Sequence, residues 1–162
     1  MAISESDRRF LLLCRKVREG SHDPDRKVGT VIADEAGQQL AVGTNAPPRS
    51  LGLTASESLE AMRHNPAWKY FLLEHAERNA IYAAYAEGKS LAGATMYGTL
   101  FPCADCARAI VAAGLSRLVI FGLGENPDRD EKWLEHYRYA KEILARAGLT
   151  VEIVDPDTLR DD

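Results

Sequence analysis

The chain has too few cysteines for a disulfide framework. It contains three cysteines and four histidines among 162 residues. Small secreted domains that depend on disulfides usually carry a larger, even number of cysteines, so an odd count of three argues against that class. Cys14 lies among leucines in FLLLCRK and is predicted to be a buried apolar residue. Cys103 and Cys106 therefore remain as the cysteines that are available for chemistry.

An excess of positive charge is also missing. The chain has 20 lysines and arginines against 24 aspartates and glutamates, which gives a formal net charge of −4. A protein that grips the phosphate backbone of DNA or RNA normally carries a basic excess. We therefore expect a small-molecule substrate, at most a single nucleotide, and no nucleic acid polymer as a partner.

Long apolar segments are absent from the sequence. No run approaches the roughly 20 residues that a membrane-spanning helix requires. The N-terminal stretch MAISESDRRFLLLCRK has no small-residue cleavage site, so it does not match a signal peptide. The content of 46% hydrophobic and 27% charged residues is typical of a soluble globular protein. We expect a cytoplasmic protein with no membrane contact and one domain over residues 1–162.

The spacing of apolar and turn residues predicts an alternation of helices and strands. The expected order is α-β-β-α-β-α-β-α-β, with one irregular connection over residues 44–69 that contains a short helix. The helix before the last strand is long enough to carry the chain back across the sheet, so the last two strands should pair in parallel. This order predicts an α/β fold with a mixed five-stranded sheet that is covered by helices on both faces. The predicted helices are 5–19, 74–89, 104–114 and 130–148, and the predicted strands are 28–33, 39–42, 94–101, 117–123 and 150–155.

Two short motifs contain the residue types that bind metals. HAERNA begins at His75, and TLFPCADCARA crosses a predicted strand-to-helix junction with Cys103 and Cys106. The backbone dipole at a helix N-terminus favours thiolates. These three residues would supply three N/S ligands, the number that a catalytic Zn²⁺ uses while it keeps one position for water. Glu77 is well placed to be the base that handles the proton of that water.

The residues alone leave three further roles open for these motifs. The Cys-x-x-Cys pair could be a redox pair, although the preceding Pro102 and the element order do not match the thioredoxin pattern. A structural zinc site closed by Cys14 or His22 is a second possibility, although such sites usually consist of two local pairs. His75 and Glu77 are also ordinary residues for the start of a helix.

The order of His-x-Glu and Pro-Cys-x-x-Cys is the signature of zinc-dependent nucleobase deaminases, and the chain resembles that superfamily over essentially its whole length. It is most similar to the deoxycytidylate deaminase branch, whose order and spacing are followed by DPDRKVGTVIAD, VGTNAPP, HAERNAI and GATMYGTLFPCADCARAIVAAGLSRLVI. The resemblance implies a three-layer α-β-α cytidine deaminase-like fold. It also implies Zn²⁺ as the cofactor and hydrolysis of a cytosine nucleotide, dCMP to dUMP plus ammonia, as the reaction.

The resemblance also assigns a role to each candidate site residue. His75, Cys103 and Cys106 would hold zinc, and Glu77 would carry a proton from water to the ring nitrogen and then to the leaving amine. The candidates for substrate binding are backbone groups around Ala76 and Phe101 for the pyrimidine edge, Asn45 for the sugar, and the cations Arg26 and Lys27 for a phosphate.

Several substrates and assemblies remain possible at this point. Deoxycytidylate deaminases commonly have Gly-Tyr-Asn-Gly where this chain has GTNA at residues 43–46, so a nucleoside, a free base such as cytosine or guanine, or a modified heterocycle are alternative substrates. A zinc-stabilised interaction domain is the alternative outside the enzymes. Similar deaminases are homo-oligomers, and the chain is rich in large apolar residues at Ile81, Tyr82, Tyr85, Trp133, Tyr137 and Tyr139.

Overall fold

A computed structural model describes residues 3–122 and 131–159 of the chain. The described residues form one five-stranded sheet and six α-helices. The strands are β1 (Gly29–Ala33), β2 (Gln39–Thr44), β3 (Thr95–Gly98), β4 (Arg117–Phe121) and β5 (Thr150–Val154). The helices are α1 (Glu5–Val17), α2 (Ala55–His64), α3 (Lys69–Leu72), α4 (Ala76–Ala86), α5 (Ala104–Ala112) and α6 (Leu134–Arg146).

The sheet is mixed, as predicted. Its strand order is β2-β1-β3-β4-β5. Strand β1 is antiparallel to both β2 and β3, whereas β3, β4 and β5 run parallel to one another. The predicted parallel pairing of the last two strands is therefore confirmed, with α6 connecting them.

Helix α1 covers one face of the sheet. Its residues Phe10, Leu11 and Cys14 pack against Val31 and Tyr97 from the strands. Cys14 is fully buried in this layer, and burial raises the pKa of its thiol to about 12. The prediction that Cys14 is an apolar core residue is therefore confirmed.

Helices α4, α5 and α6 cover the opposite face. Small residues such as Ala80, Ala84, Ala107 and Ala140 are fully buried there, which lets these helices lie close to the strands and to each other. Helix α4 lies very close to Gly43 of β2, where an added Cβ would meet the backbone of the helix. Helices on both faces give the predicted three-layer α-β-α arrangement.

A buried carboxylate ties α1 to the sheet. Asp7, in the first turn of α1, accepts hydrogen bonds from both terminal nitrogens of Arg117 at 2.8 Å and from the Tyr97 hydroxyl at 2.8 Å. Arg117 also pairs with Glu152 on β5. The Arg117 guanidinium beside Asp7 lowers the pKa of that carboxyl to about 2. Four elements are thus joined by one ionic cluster.

The main differences from the predicted elements lie between β2 and α4. Strand β2 continues to Thr44, because Gly29 pairs with Thr44 across the hairpin. The connection over residues 44–69 contains the expected short helix as α2, which begins with a capping box between Thr54 and Glu57, whereas α3, which begins at Lys69, was not expected. The start of the predicted last helix, Asp130, lies outside the described residues. Within those residues, no helix has both the length and the apolar character that crossing a membrane requires.

The large apolar residues named in the sequence divide into buried and exposed sets. Ile81 and Tyr137 are buried in the core. Tyr82, Tyr85 and Tyr139 are about half exposed, at 52%, 49% and 44%. Core packing therefore accounts for only part of this aromatic content.

Candidate active site

Three side chains from the N-terminal ends of two helices meet at one point. His75 is the N-cap residue of α4, and Cys103 is the N-cap residue of α5. The Nδ1 atom of His75 lies 3.5 Å from the Sγ atom of Cys103 and 3.5 Å from the Sγ atom of Cys106. All three ligand atoms lie within 4.8 Å of one another. Among the described residues, this is the only cluster of histidine, cysteine and carboxylate side chains with the spacing of a metal site.

The donor set fits a zinc ion. In a tetrahedral site with Zn–N of about 2.0–2.1 Å and Zn–S of about 2.3 Å, the nitrogen and each sulfur lie about 3.5 Å apart. The two observed N···S distances match this value. Thiolate and imidazole are also ligands that suit Zn²⁺, whereas Mg²⁺ and Ca²⁺ require oxygen.

The two cysteines of the cluster are electrostatically different. A hydrogen bond from the Cys106 thiol, together with the contact with His75, lowers the pKa of Cys103 to about 4. The same contact with Cys103, together with burial, holds the pKa of Cys106 well above its usual value. The contact with Cys103 also raises the pKa of His75. Cys103 thus favours the thiolate form, and a metal ion that bound both sulfurs would replace the proton on Cys106.

Glu77 lies directly beside this cluster. It is in the first turn of α4, is 7% exposed, and its Oε2 atom is 3.6 Å from the Sγ atom of Cys106. Burial raises the pKa of this carboxyl above its usual value. A buried carboxyl next to three metal-binding groups can hold or release a proton at the place where a metal would act.

The start of α4 is fixed to the end of β2 by an asparagine. The Nδ2 atom of Asn79 donates to the carbonyl oxygen of Thr44 at 2.8 Å and to that of Ala46 at 3.1 Å. The backbone of Ala46 also pairs with Glu74, just before His75. These contacts hold the HAERNA motif against the edge of the sheet, so hydrogen bonds fix the position of the backbone around the cluster.

A cavity of about 500 Å³ opens above the cluster. Its floor contains His75, Glu77 and Cys103, and its sides come from the segment 23–28, from α3 and from the start of α6. Ligand pockets of small molecules typically have volumes of about 300–1,000 Å³. The cavity is therefore large enough for a substrate of nucleotide size.

Four of the five residues predicted to bind substrate line this cavity: Arg26, Asn45, Ala76 and Phe101. Lys27 does not. Its Nζ atom is 3.5 Å from Glu19, and its side chain is exposed. The structure therefore does not bring Lys27 to the candidate site.

Asn45 is occupied by the loop that carries Arg26. Its Oδ1 atom accepts from the Ser21 hydroxyl at 2.6 Å and from the Val28 amide at 2.9 Å, and its Nδ2 atom donates to the Arg26 carbonyl at 2.6 Å. The side chain thus shapes the loop of residues 21–28. One hydrogen of Nδ2 is left over in this arrangement to contact a ligand.

Lys69 is a cavity residue for which the sequence gives no signal. It comes from α3, inside the connection that was expected to be irregular. Its Nζ atom lies 3.3 Å from Asp23 and 3.6 Å from Asp25, which are 46 and 44 positions away in the chain. Pairing at such a distance along the chain leaves no local pattern.

Arg78, Trp133 just before α6, and His136 of α6 also line the cavity. The Trp133 ring stands edge-on to His75 with centroids 6.1 Å apart, and it tilts against His136 at 5.3 Å. The Nδ1 atom of His136 accepts from the amide of Ala104 at 3.3 Å. Arg78 lies within HAERNA, so its nearness to Glu77 is the one signal in the sequence that could have identified it.

The alternative of a structural zinc site closed by Cys14 or His22 does not fit the geometry. Cys14 is buried in the layer beneath the other face of the sheet. The Nδ1 atom of His22 lies 2.7 Å from the Ser58 hydroxyl. Neither residue belongs to the metal-binding cluster.

The family model described as the cytidine and deoxycytidylate deaminase zinc-binding region matches residues 4–122. The chain belongs to this family. It is therefore a deaminase of the zinc-dependent hydrolase class, as its motifs predict. The predicted cytidine deaminase-like fold is also confirmed.

Individual relatives agree with this family membership. An uncharacterized deaminase of Aliivibrio fischeri is 28% identical over 158 residues, which is 98% of this chain and 99% of the relative. The deoxycytidylate deaminase of Enterobacteria phage T2 is 58% identical over 77 residues, or 48% of this chain, and this match spans only 36% of the phage protein. The solved structure of the dCMP deaminase from cyanophage S-TIM5 in complex with dCMP and dUMP has a TM-score of 0.67 at 21% identity, covering 95% of this deaminase and 100% of that chain.

Proposed function

We propose that this deaminase removes the amino group of a cytosine nucleotide by hydrolysis, with dCMP to dUMP plus ammonia as the leading reaction. The observation that carries the proposal is the His75, Cys103 and Cys106 cluster beside buried Glu77, on the floor of a cavity of nucleotide size. The cyanophage protein, which has the same fold, binds dCMP and dUMP. The phage T2 relative is a deoxycytidylate deaminase.

His75, Cys103 and Cys106 would hold the metal. A bound Zn²⁺ supplies Lewis acidity that makes hydroxide available from water near neutral pH. Trp133 packs edge-on to the His75 ring and limits the positions that the imidazole can take. The buried helix N-termini around the two cysteines favour the negative charge of their thiolates.

Glu77 would carry the proton through the reaction. Its carboxylate would take one proton from the water and deliver it to the ring nitrogen as the remaining hydroxide adds to the ring carbon. It would then move the proton of the added hydroxyl to the amino group, which leaves as ammonia while the carbonyl forms. The side chain is 7% exposed, so bulk water has little access to it. A positioned acid-base group of this kind contributes about 10²–10⁴-fold to the rate.

The pyrimidine ring would bind between the two motifs. Backbone groups around Ala76 and Phe101 would meet its polar edge, since both residues are buried and line the cavity. The Phe101 ring is itself held by an edge-to-face contact with Tyr137, whose ring centroid is 6.0 Å away. A rigid wall at this position would orient the ring carbon that is attacked.

The sugar phosphate would extend towards the loop of residues 21–28. Asn45 would contact the sugar while it holds the backbone of Arg26. Arg26 and Lys69 are the cations that we assign to the phosphate, because both line the cavity. Asp23 and Asp25 both pair with Lys69, so the phosphate would have to compete with these two carboxylates for the lysine.

A substrate comparison tests the proposal. Released ammonia is measured for the purified protein with dCMP, CMP, deoxycytidine, cytosine and guanine at equal concentrations. We expect the highest kcat/KM for dCMP. Equal values for dCMP and deoxycytidine would refute recognition of the nucleotide, and no turnover of any cytosine compound would refute the reaction itself.

Variants of the two cations then assign the cause of any preference. Losing one charge-assisted contact typically costs about 1.5–3 kcal/mol, or roughly 10–150-fold in kcat/KM. Arg26→Ala and Lys69→Met should lose this factor with dCMP and much less with deoxycytidine. Lys27→Ala is the matched control, since Lys27 lies outside the cavity, and it should behave as the wild type.

We also propose that residues 1–162 act as one deaminase domain and form a homo-oligomer. Helix α1, near one end of the described chain, packs on the sheet to which β5, near the other end, belongs, which supports a single unit. The half-exposed Tyr82 and Tyr85 on α4 are suitable residues for a subunit contact. Sedimentation velocity measures the assembly directly, and a monomer at micromolar concentration would refute the oligomer.

A further inference from the structure

Arg78 connects the two helices whose N-termini carry the candidate metal ligands. Its side chain is 20% exposed and belongs to α4, three residues after His75. On one side it reaches Glu74, and on the other it reaches Asp105 of α5. The guanidinium of Arg78 thus links Glu74, immediately before His75, to Asp105, which lies between the two cysteines in the chain.

The contact with Glu74 bears directly on the backbone of His75. The Nε and Nη2 atoms of Arg78 lie 2.7 Å and 2.6 Å from the Oε1 atom of Glu74. The same oxygen accepts the backbone amide of His75 at 2.9 Å. The carboxylate that anchors His75 is therefore itself held by two nitrogens of Arg78.

The contact with Asp105 reaches the other helix. The Nη1 atom of Arg78 is 3.9 Å from the Oδ2 atom of Asp105. The second carboxylate oxygen of Asp105 accepts from Arg108, on the same helix, at 2.6 Å. Asp105 thus has two partners. Arg108 on α5 has a side chain that is 63% exposed, and Arg78 on α4 has a side chain that is 20% exposed.

We propose that Arg78 is a positioning residue that holds His75 in register with Cys103 and Cys106. Partners behind metal ligands orient those ligands, and removing such a partner typically lowers metal affinity or activity by about 10–100-fold. Lysine cannot replace arginine here, because a single ammonium cannot donate from three separate nitrogens in a planar fork. The proposal rests on the zinc site of the proposed function.

Arg78→Lys is the decisive variant, because it keeps the positive charge and removes the fork. The matched control is Arg108→Lys, which alters the partner of Asp105 that does not reach α4. Each purified protein is loaded with zinc, and the rate of zinc transfer to an excess of a colorimetric chelator is measured. We expect Arg78→Lys to release zinc about 10–100-fold faster than the wild type, with Arg108→Lys within twofold of it.

Cobalt substitution provides a readout that a general loss of stability would not change. The visible spectrum of bound Co²⁺ depends on ligand geometry, so Arg78→Lys should shift its bands and Arg108→Lys should not. Arg78→Lys with a wild-type release rate and spectrum would overturn the proposal. A wild type that binds neither metal would instead overturn the zinc site and with it the proposed function.

Glu74→Gln tests the same connection if Arg78→Lys fails to fold. Its amide oxygen can still accept from the His75 amide, while the charged partner of Arg78 is lost. We expect faster zinc release again, and a wild-type rate would count against the proposal.

Arg78→Lys and Asp105→Asn should also be non-additive in their effects on the zinc release rate, because both interrupt the contact between Arg78 and Asp105. Fully additive effects would refute the part of the link that reaches Asp105.

Discussion

A Cβ atom on Gly43 would lie 2.2 Å from the carbonyl oxygen of Ala76. It would also lie 2.5 Å from the backbone nitrogen of Ala80, so a whole turn of α4 rests on this glycine. His75 and Glu77 flank Ala76 in the chain. The depth at which α4 lies on the sheet, and thus the position of the candidate site, depends on the missing side chain of Gly43.

Gly43→Ala should therefore reduce activity as well as stability. The methyl group would displace the start of α4, and inserting an extra group into a packed core typically costs about 1–3 kcal/mol. Urea unfolding measures the stability, and ammonia release at saturating substrate measures the activity. Gly20→Ala is the control, because its Cβ would meet its nearest neighbour, Thr44, at an ordinary 3.8 Å. A fully active Gly43→Ala protein would contradict this role of Gly43.

Cys106→Ser should remove metal and activity together. A serine hydroxyl is not deprotonated at neutral pH and is a poor ligand for zinc. Elemental analysis should find about one zinc per chain in the wild type, as expected for a single three-ligand site. Cys14→Ala is the control, since Cys14 lies under the opposite face of the sheet and should not affect the zinc content. Full zinc occupancy in Cys106→Ser would contradict the assignment.

Glu77→Gln should keep the metal and lose turnover. The amide has nearly the same size as the carboxyl but cannot accept the proton, so we expect a loss of about 10²–10⁴-fold in kcat. Zinc content and kcat are measured on the same preparation. Glu87→Gln, at the exposed other end of α4, is the matched control and should retain full activity. If Glu77→Gln kept a tenth of the wild-type rate, Glu77 would not be the proton carrier.

Asp7→Asn should destabilise the protein in a pH-dependent way. The pKa of Asp7 falls from 3.8 to about 2 on folding, chiefly through its hydrogen bonds from Arg117. A lowered folded-state pKa contributes stability above pH 3.8 that is lost as the pH falls towards 2. At about 1.4 kcal/mol for each pKa unit, this contribution is about 2 kcal/mol at pH 7.

Urea unfolding of the wild type and Asp7→Asn at several pH values measures this difference. The gap in unfolding free energy should be largest at neutral pH and should close between pH 3.8 and 2. Glu142→Gln removes the exposed ion pair with Arg146 and should change stability by less than about 1 kcal/mol. A gap that does not vary with pH would show that Asp7 acts by packing alone.

Periodicity and turn residues predicted the element order because each of these signals is local. The Ala-rich helices, the hairpin and the apolar strands appear in the structure with ends that differ by a few residues from the prediction. The candidate metal cluster was also predictable, since both motifs place their side chains at helix N-termini on neighbouring elements. The meeting point of His75, Cys103 and Cys106 follows from that placement.

The cavity walls could not be predicted in the same way. Lys69 reaches Asp23 across 46 positions, and His136 reaches Ala104 across 32, so neither contact leaves a local pattern in the sequence. Lys27 was selected for its charge and its position beside Arg26. Arg26 lines the cavity, whereas Lys27 is exposed and pairs with Glu19 instead.

The burial of Cys14 makes thiol chemistry a selective reporter on the candidate site. With a pKa of about 12, its sulfur is almost entirely protonated at neutral pH, and the sheet and α1 shield it from reagents. Alkylating agents should therefore modify Cys103, which has a lowered pKa and lines the cavity, and only when no metal is bound to it. Mass spectrometry would then separate alkylated, metal-free molecules from unmodified, metal-bound molecules by their mass. Bulk metal analysis of the same mixture gives only the average metal content.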